Sequence, residues 1–177
     1  MSRRRSRVPL VVSLIVGATV LVALAVGAVF VVPQIVRAAQ TEVAAGPTEI
    51  RVATTGAAGQ ITVEDGWSYL VDPFDAASAT VRSPDGEMTV AFTVVRTDDA
   101  EAAVRERAGG AVAPFDVEPV GATRVLHTRA VDDDATVGAV VAGGAAVLFD
   151  ARPTTGYDAE LALLLSHVVV TSAGVTP

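Results

Sequence analysis

A serine beside a histidine is the first pair of residues in this sequence that could carry out chemistry. His167 directly follows Ser166, and a histidine base paired with a serine nucleophile is the combination that many hydrolases use. Adjacent residues on a helix do not face each other, so this pair is not placed for a Ser-His hydrogen bond. The sequence also contains no G-x-S-x-G and no H-E-x-x-H motif. We therefore expect a protein that is not an enzyme, with no catalytic residues and no cofactor.

The second histidine lies in a predicted strand. His127 alternates there with Val125 and Arg129, while Leu126 and Thr128 fall on the other face. Successive side chains of a strand point to opposite faces. The pattern favours a partly exposed surface histidine over a metal ligand or a catalytic base.

A run of three acids, Asp132 to Asp134, could supply oxygen ligands to a hard cation such as calcium. Calcium loops space their acids at alternate positions and contain a glycine that turns the chain, whereas three consecutive acids point in different directions. We interpret the run as a turn between two strands and predict no metal site.

Trp67 is the leading candidate for ligand binding, because a ring beside a turn can lie at the mouth of a cleft. Tyr69 shares its predicted strand face and is the second candidate. The alternative is that Trp67 packs in the core, and this is favoured because the chain has few aromatic residues and its apolar content is mostly Ala and Val.

Strands and turns dominate the elements that must position these residues. The clearest hairpin surrounds residues 83–86, Ser-Pro-Asp-Gly, with proline and glycine at turn positions. An earlier strand ends at the Asp65-Gly66 turn, and residues 123–131, 136–142 and 145–151 predict an antiparallel meander. Residues 54–59 are a turn-rich break that limits the preceding strand, and residues 111–120, with two prolines, predict irregular chain.

Two helices are predicted between these strands. The first covers residues 99–108, with Asp98 as its N-cap and glycines after it. The second begins after Thr155, ends near Ser166, and is followed by a β-branched stretch that favours a strand. Its apolar stripe should pack on the sheet and comprises Tyr157, Leu161, Leu164, Leu165 and Val168. The predicted fold is α+β, with a mainly antiparallel five- to six-stranded sheet packed by two helices.

Residues 8–36 form an apolar run without a charged residue, and they predict a single transmembrane helix. Four arginines in the basic tail, residues 1–7, favour a cytoplasmic N-terminus. The alternative is a cleaved signal peptide, whose apolar core is normally shorter. Residues 37–48 predict a linker, residues 49–173 an extracytoplasmic domain, and residues 174–177 a flexible tail. Within the span, Ala23 and Gly27 have the small-x-x-x-small spacing that allows two helices to pack closely.

Charge and composition narrow the classes of partner. Residues 38–177 contain eight arginines and twenty acidic residues, a net charge of −12, which argues against nucleic-acid binding. The absence of cysteine excludes disulfides, thiolate metal sites and a lipidated cysteine from this sequence. The chain has no lysine and is rich in Ala and Val, which is typical of a GC-rich genome, and we expect an actinobacterial source.

The order of elements resembles the PsbP-like fold family across roughly residues 60–171. The resemblance rests on a strand followed by Glu64-Asp65-Gly66-Trp67, the hairpin at residues 83–86, a helix, a meander and a final helix that ends Leu-Leu-Ser. Members often have a proline where Glu64 stands. The family consists of binding and accessory proteins without shared catalytic residues, so the resemblance implies a sheet flanked by helices and assigns no residue a role.

Together these features predict a membrane-anchored extracytoplasmic accessory or binding module of the cell envelope. The alternative is a structural or assembly partner of another membrane protein, which would contact that protein through the transmembrane helix or the exported domain. The expected partners are the membrane and a protein of the envelope, with no nucleic acid.

Overall fold

The computed structural model describes residues 41–109, 111–120, 123–131 and 133–172. The predicted basic tail, the transmembrane segment with Ala23 and Gly27, and the C-terminal tail lie outside the described residues. Within the described ranges, no helix has both the length and the apolar character needed to cross a membrane.

The described residues form eleven strands and two helices. The strands are β1 Glu42–Val43, β2 Thr48–Thr54, β3 Ala57–Val63, β4 Ser68–Val71, β5 Ser78–Arg82, β6 Thr89–Arg96, β7 Asp116–Val120, β8 Thr123–Arg129, β9 Thr136–Ala142, β10 Ala145–Arg152 and β11 Val168–Ser172. The helices are α1 Ala100–Ala108 and α2 Asp158–Ser166. Eight strands form one sheet in the order β1-β4-β5-β6-β10-β9-β8-β7, and a second sheet has the order β11-β3-β2. Every strand pair in both sheets is antiparallel.

The α+β class, the antiparallel pairing and the two helices are confirmed, but the single sheet of five or six strands is wrong. The small sheet was missed because residues 54–59, predicted as a break, are the hairpin that joins β2 to β3. The start of β3 consists of small residues because the sheets approach closely there. A Cβ atom placed on Gly59 would lie 2.5 Å from Cγ2 of Val147 in the large sheet. Small side chains at such a contact look like a turn signal in the sequence.

Two other strands were also missed. Strand β7 contains Pro119 and lies within the region predicted to be irregular. It is an edge strand, where a missing backbone N–H leaves no partner unsatisfied. Strand β1 lies inside the predicted linker, where Glu42 and Val43 pair with β4.

The hairpin and the meander have the predicted connectivity. The β5–β6 turn closes with a 2.8 Å hydrogen bond from the Gly86 amide to the Ser83 carbonyl, and Gly86 has a φ of +78° that suits glycine. The Asp65-Gly66 turn, in contrast, does not form a hairpin: it carries the chain from β3 in the small sheet to β4 in the large one.

The core lies in two clusters on opposite faces of the large sheet. On one face, the small sheet and α2 pack over the larger cluster, which includes Ile61, Phe92, Phe149, Leu161 and Leu164. On the other face, α1 packs through Val104 onto a smaller cluster, which includes Leu126, Val137 and Leu148. The large sheet is therefore covered on both faces, which explains why its central strands are apolar on both sides.

The two helices begin one or two residues later than predicted. Asp99, rather than Asp98, caps α1 and accepts a 3.0 Å hydrogen bond from the Ala102 amide. Tyr157 precedes α2 without a side-chain cap. Thr155, the predicted cap, donates its backbone and side-chain hydrogen bonds to Asp134 instead. The predicted end of α2 at Ser166, followed by a strand, is confirmed.

Candidate functional site

A cavity of about 460 Å³ lies between α2 and two strands of the large sheet, the edge strand β7 and its neighbour β8. Its walls come from parts of the chain that are distant in sequence but adjacent in the fold. The lining residues are Ala113, Pro114, Asp116, Glu118, Val125, His127, Thr128, Arg129, Thr136, Phe149, Asp158, Leu161, Ala162, Leu165 and Ser166.

The inner part of the cavity is mostly apolar, and the hydroxyl of its buried Thr136 donates a hydrogen bond to Thr154. Phe149 is fully buried, and its ring lies over Gly138 on the neighbouring strand, where an added Cβ would be 2.5 Å from the Phe149 Cζ atom. Leu161 and Leu165 extend the same apolar surface from α2, and both are buried. The cavity is thus bounded by the main core and can receive an apolar group.

The outer part of the cavity is polar because β7 and β8 pair in a particular register. His127 stands directly opposite Asp116, and Val125 stands opposite Glu118. Side chains at diagonal positions of such a pair can also meet, and the His127 Nε2 atom lies 3.7 Å from the Glu118 Oε1 atom. The imidazole and both carboxylates therefore surround one region of the mouth.

An ion pair connects the sheet to the start of α2. The Arg129 Nη2 atom lies 3.4 Å from the Asp158 Oδ1 atom, and both side chains are mostly exposed. Asp158 lies in the first turn of the helix, where the helix dipole stabilises a carboxylate. Apart from His127, the ionisable side chains of the lining are thus three carboxylates and one guanidinium.

Ser166 and His167 are not brought together by the fold. The Ser166 hydroxyl donates a 2.7 Å hydrogen bond to the Leu163 carbonyl, while the His167 Nδ1 atom lies 3.6 Å from Glu64. Ser166 lines the cavity and His167 does not.

The two predicted ligand-binding residues lie away from this cavity. Trp67 is only 7% exposed and packs in the main core, although one edge reaches a small cavity of about 70 Å³ beside Leu163. The Tyr69 hydroxyl donates a 2.5 Å hydrogen bond to Glu42, which links β4 to β1. This hydrogen bond, together with partial burial, raises the pKa of Tyr69.

The described acids of the predicted turn stabilise the loop before α2. Asp134 accepts hydrogen bonds from the backbone amides and hydroxyls of Thr154 and Thr155, and Asp133 pairs with Arg152 at 2.5 Å. Desolvation acts to raise the pKa of Asp134, but the hydrogen bonds from Thr155 and Thr154 outweigh it and lower that pKa. In the part of the chain that the structure describes, no group of three or more His, Cys, Asp or Glu side chains is arranged to hold a metal.

The alternation of Val125, His127 and Arg129 correctly placed these side chains on one face of a partly exposed strand. The sequence did not reveal that this face borders a cavity. The cavity also requires β7, which was missed because its region contains two prolines, and α2, which supplies part of the wall. The sequence did contain one signal of a site, which is a strand face with polar and charged residues near a buried aromatic residue.

No protein-family model matches the sequence, and no curated protein matches it significantly. Among solved structures, the chain is similar to the solution structure of cyanobacterial PsbP (CyanoP) from Synechocystis sp. PCC 6803. The two share 11% sequence identity with a TM-score of 0.47, over 72% of this chain and 94% of that chain. PsbP is also the family whose fold the order of elements resembles; the likeness concerns the fold alone and assigns this chain no role.

Proposed function

We propose that the protein is a membrane-anchored binding module of the cell envelope, and that the cavity between α2 and strands β7 and β8 holds a small ligand. The observation that carries this proposal is the cavity itself: about 460 Å³ with an apolar interior and a polar mouth. Ligand sites in proteins typically have volumes of roughly 300 to 1,000 Å³, with mostly apolar walls and a few polar groups that orient the ligand.

The apolar interior provides affinity and the polar mouth provides orientation. Burial of about 100 Å² of apolar ligand surface contributes roughly 2.5 kcal/mol at about 25 cal/mol per Å². The charged side chains of β7 and β8 lie at the exposed end of the cavity, so they can contact a ligand's polar group without being desolvated completely. This division suits an amphipathic small molecule.

Membrane anchoring rests on residues 8–36, which are long and apolar enough to span a bilayer, and on the arginines before them. The strongly acidic remainder of the chain is consistent with export. Protease added to intact spheroplasts should degrade the domain, because it faces outward. Protection of the domain, with only the N-terminal residues accessible from outside, would show the opposite topology.

Native mass spectrometry of the full chain, purified gently from its own membranes, tests whether the cavity is occupied. We expect wild-type protein to carry a small molecule and Ala162→Trp to lack it, because Ala162 lines the cavity. Ala159→Trp is the matched control: Ala159 is exposed on the same helix and does not line the cavity. Equal occupancy in both variants would contradict the proposal.

The alternative role, as an assembly partner of another membrane protein, is favoured by the Ala23 and Gly27 spacing and by Phe74, which is 77% exposed in the β4–β5 loop. Pull-down from membranes with the native span and with a polyleucine span separates the two roles. A partner lost only with the replaced span would support assembly through the helix.

A further inference from the structure

We infer that the cavity between α2 and strands β7 and β8 selects an organic monocation, namely an alkyl- or arylalkylammonium ion with an apolar body. This inference rests on the proposed function and deepens it by naming the ligand class. The apolar body would lie against Phe149 and Leu161, and the ammonium group would lie at the mouth beside β7.

The mouth of the cavity has more carboxylates than guanidinium groups. Of its three carboxylates, Asp158 has the Arg129 guanidinium 3.4 Å away. Among the described residues, no cation forms an ion pair with Asp116, and Glu118 has only His127, a pair that becomes ionic when the imidazole is protonated. Two carboxylates therefore remain without a permanent cationic partner.

These two carboxylates belong to the same strand. Asp116 and Glu118 are two residues apart on β7, so their side chains lie on the same face of the strand. Both line the cavity, as do Val125 and His127 directly across on β8. Both carboxylates belong to exposed residues. An ammonium group could therefore bind beside them without the desolvation cost of a fully buried charge.

The apolar side chains of the interior favour an organic cation over a metal ion. Four apolar side chains of the lining offer a bound group no oxygen or nitrogen ligand, namely those of Val125, Phe149, Leu161 and Leu165. An inorganic cation would gain nothing from these side chains, whereas an alkyl or aryl group would be removed from water there. An organic anion would be repelled by the uncompensated carboxylates and by the negative charge of the whole domain.

Three probes that differ only in their polar group test the inference: 4-phenylbutylamine, 4-phenylbutan-1-ol and 4-phenylbutyrate. Each is titrated by calorimetry into the full chain in a mild nonionic detergent, with detergent-only titrations subtracted. We expect the amine to bind about three- to tenfold more tightly than the alcohol, and the carboxylate to bind more weakly than both. Raising NaCl from 50 to 500 mM should reduce the preference for the amine.

Charge-removing variants identify the responsible residues. Asp116→Asn and Glu118→Gln should each weaken the amine about two- to fivefold and leave the alcohol unchanged, and the double variant should abolish the preference. The control is Glu106→Gln, an exposed position on α1 across the sheet. Equal or tighter binding of the alcohol or carboxylate would overturn the inference while leaving the binding function intact. Failure of all three probes to bind would overturn both.

Discussion

The Tyr157 hydroxyl donates a 2.5 Å hydrogen bond to the Asp85 carboxylate, and this contact joins the start of α2 to the turn between β5 and β6. The two residues are 72 positions apart in sequence. Ser83 also donates to the same carboxylate. Since α2 forms one wall of the cavity, this contact helps to fix the position of that wall.

The Tyr157–Asp85 contact predicts a pH dependence of stability. The hydrogen bond to Asp85 raises the pKa of Tyr157 from 10.0 to about 12, while hydrogen bonds from Ser83 and then Tyr157 lower the pKa of Asp85. Because the pKa of Tyr157 is raised, its hydroxyl stabilises the folded state at a pH below the pKa that it has in the unfolded chain. This stabilisation is lost as the pH rises toward 12. A lowered pKa contributes stability above the unfolded value of 3.8 that is lost in acid.

The measurement is the melting temperature of wild type and Tyr157→Phe between pH 3 and 11. We expect the variant to melt lower by a constant amount between about pH 5 and 9, because both groups are then in their bonded forms. The difference should shrink at either extreme. A difference that is independent of pH would show that the hydroxyl does not stabilise the fold through Asp85.

The buried face of α2 predicts that Leu164 supports the core. Leu164 is 3% exposed, whereas the adjacent Leu163 is 53% exposed. Truncation of a buried leucine to alanine typically costs about 2 to 5 kcal/mol, while a surface change is usually within about 0.5 kcal/mol. Urea denaturation should therefore show a large loss of unfolding free energy for Leu164→Ala and a small one for Leu163→Ala. Similar losses for the two variants would mean that α2 is not packed in this orientation.

Gly138 predicts a packing constraint at the floor of the cavity. A Cβ atom there would lie 2.3 Å from the Leu126 carbonyl oxygen and 2.5 Å from the Phe149 Cζ atom. Overpacking of this kind typically costs about 1 to 3 kcal/mol, so Gly138→Ala should lower the unfolding free energy. In a double-mutant cycle, the combined loss of unfolding free energy from Gly138→Ala and Phe149→Leu should be smaller than the sum of the two single losses. The reason is that Phe149→Leu removes the clash with the ring, while the clash with the carbonyl remains. Strictly additive losses would contradict this contact.

Local signals explain which parts of the fold could be predicted from the sequence. The Ser-Pro-Asp-Gly turn at residues 83–86 is encoded by neighbouring residues, and the predicted hairpin is confirmed. The leucine stripe of α2 also specifies its buried face. The small sheet could not be predicted in this way, because Gly59 is small to fit Val147, a residue far away in the sequence.

The cavity could be predicted only in part for the same reason. The alternation on β8 placed His127 and Arg129 on one face, but β7 and α2 complete the site from distant segments. Strand β7 was missed because it contains Pro119, and a proline argues against a central strand. An edge strand such as β7 tolerates it. Trp67 packs in the core, which is the interpretation that the sequence favoured for it, whereas the Tyr69 hydroxyl links β4 to β1.

The most direct test of the binding cavity is methyl NMR of the full chain, with labelled leucine and valine, titrated with the three phenylbutyl probes. We expect at least one probe to shift the methyl signals of Val125, Leu161 and Leu165, which line the cavity. The signals of Val104 and Leu148, which pack on the opposite face of the sheet, should not move. Shifts confined to that opposite face, or no shifts with any probe, would contradict the account.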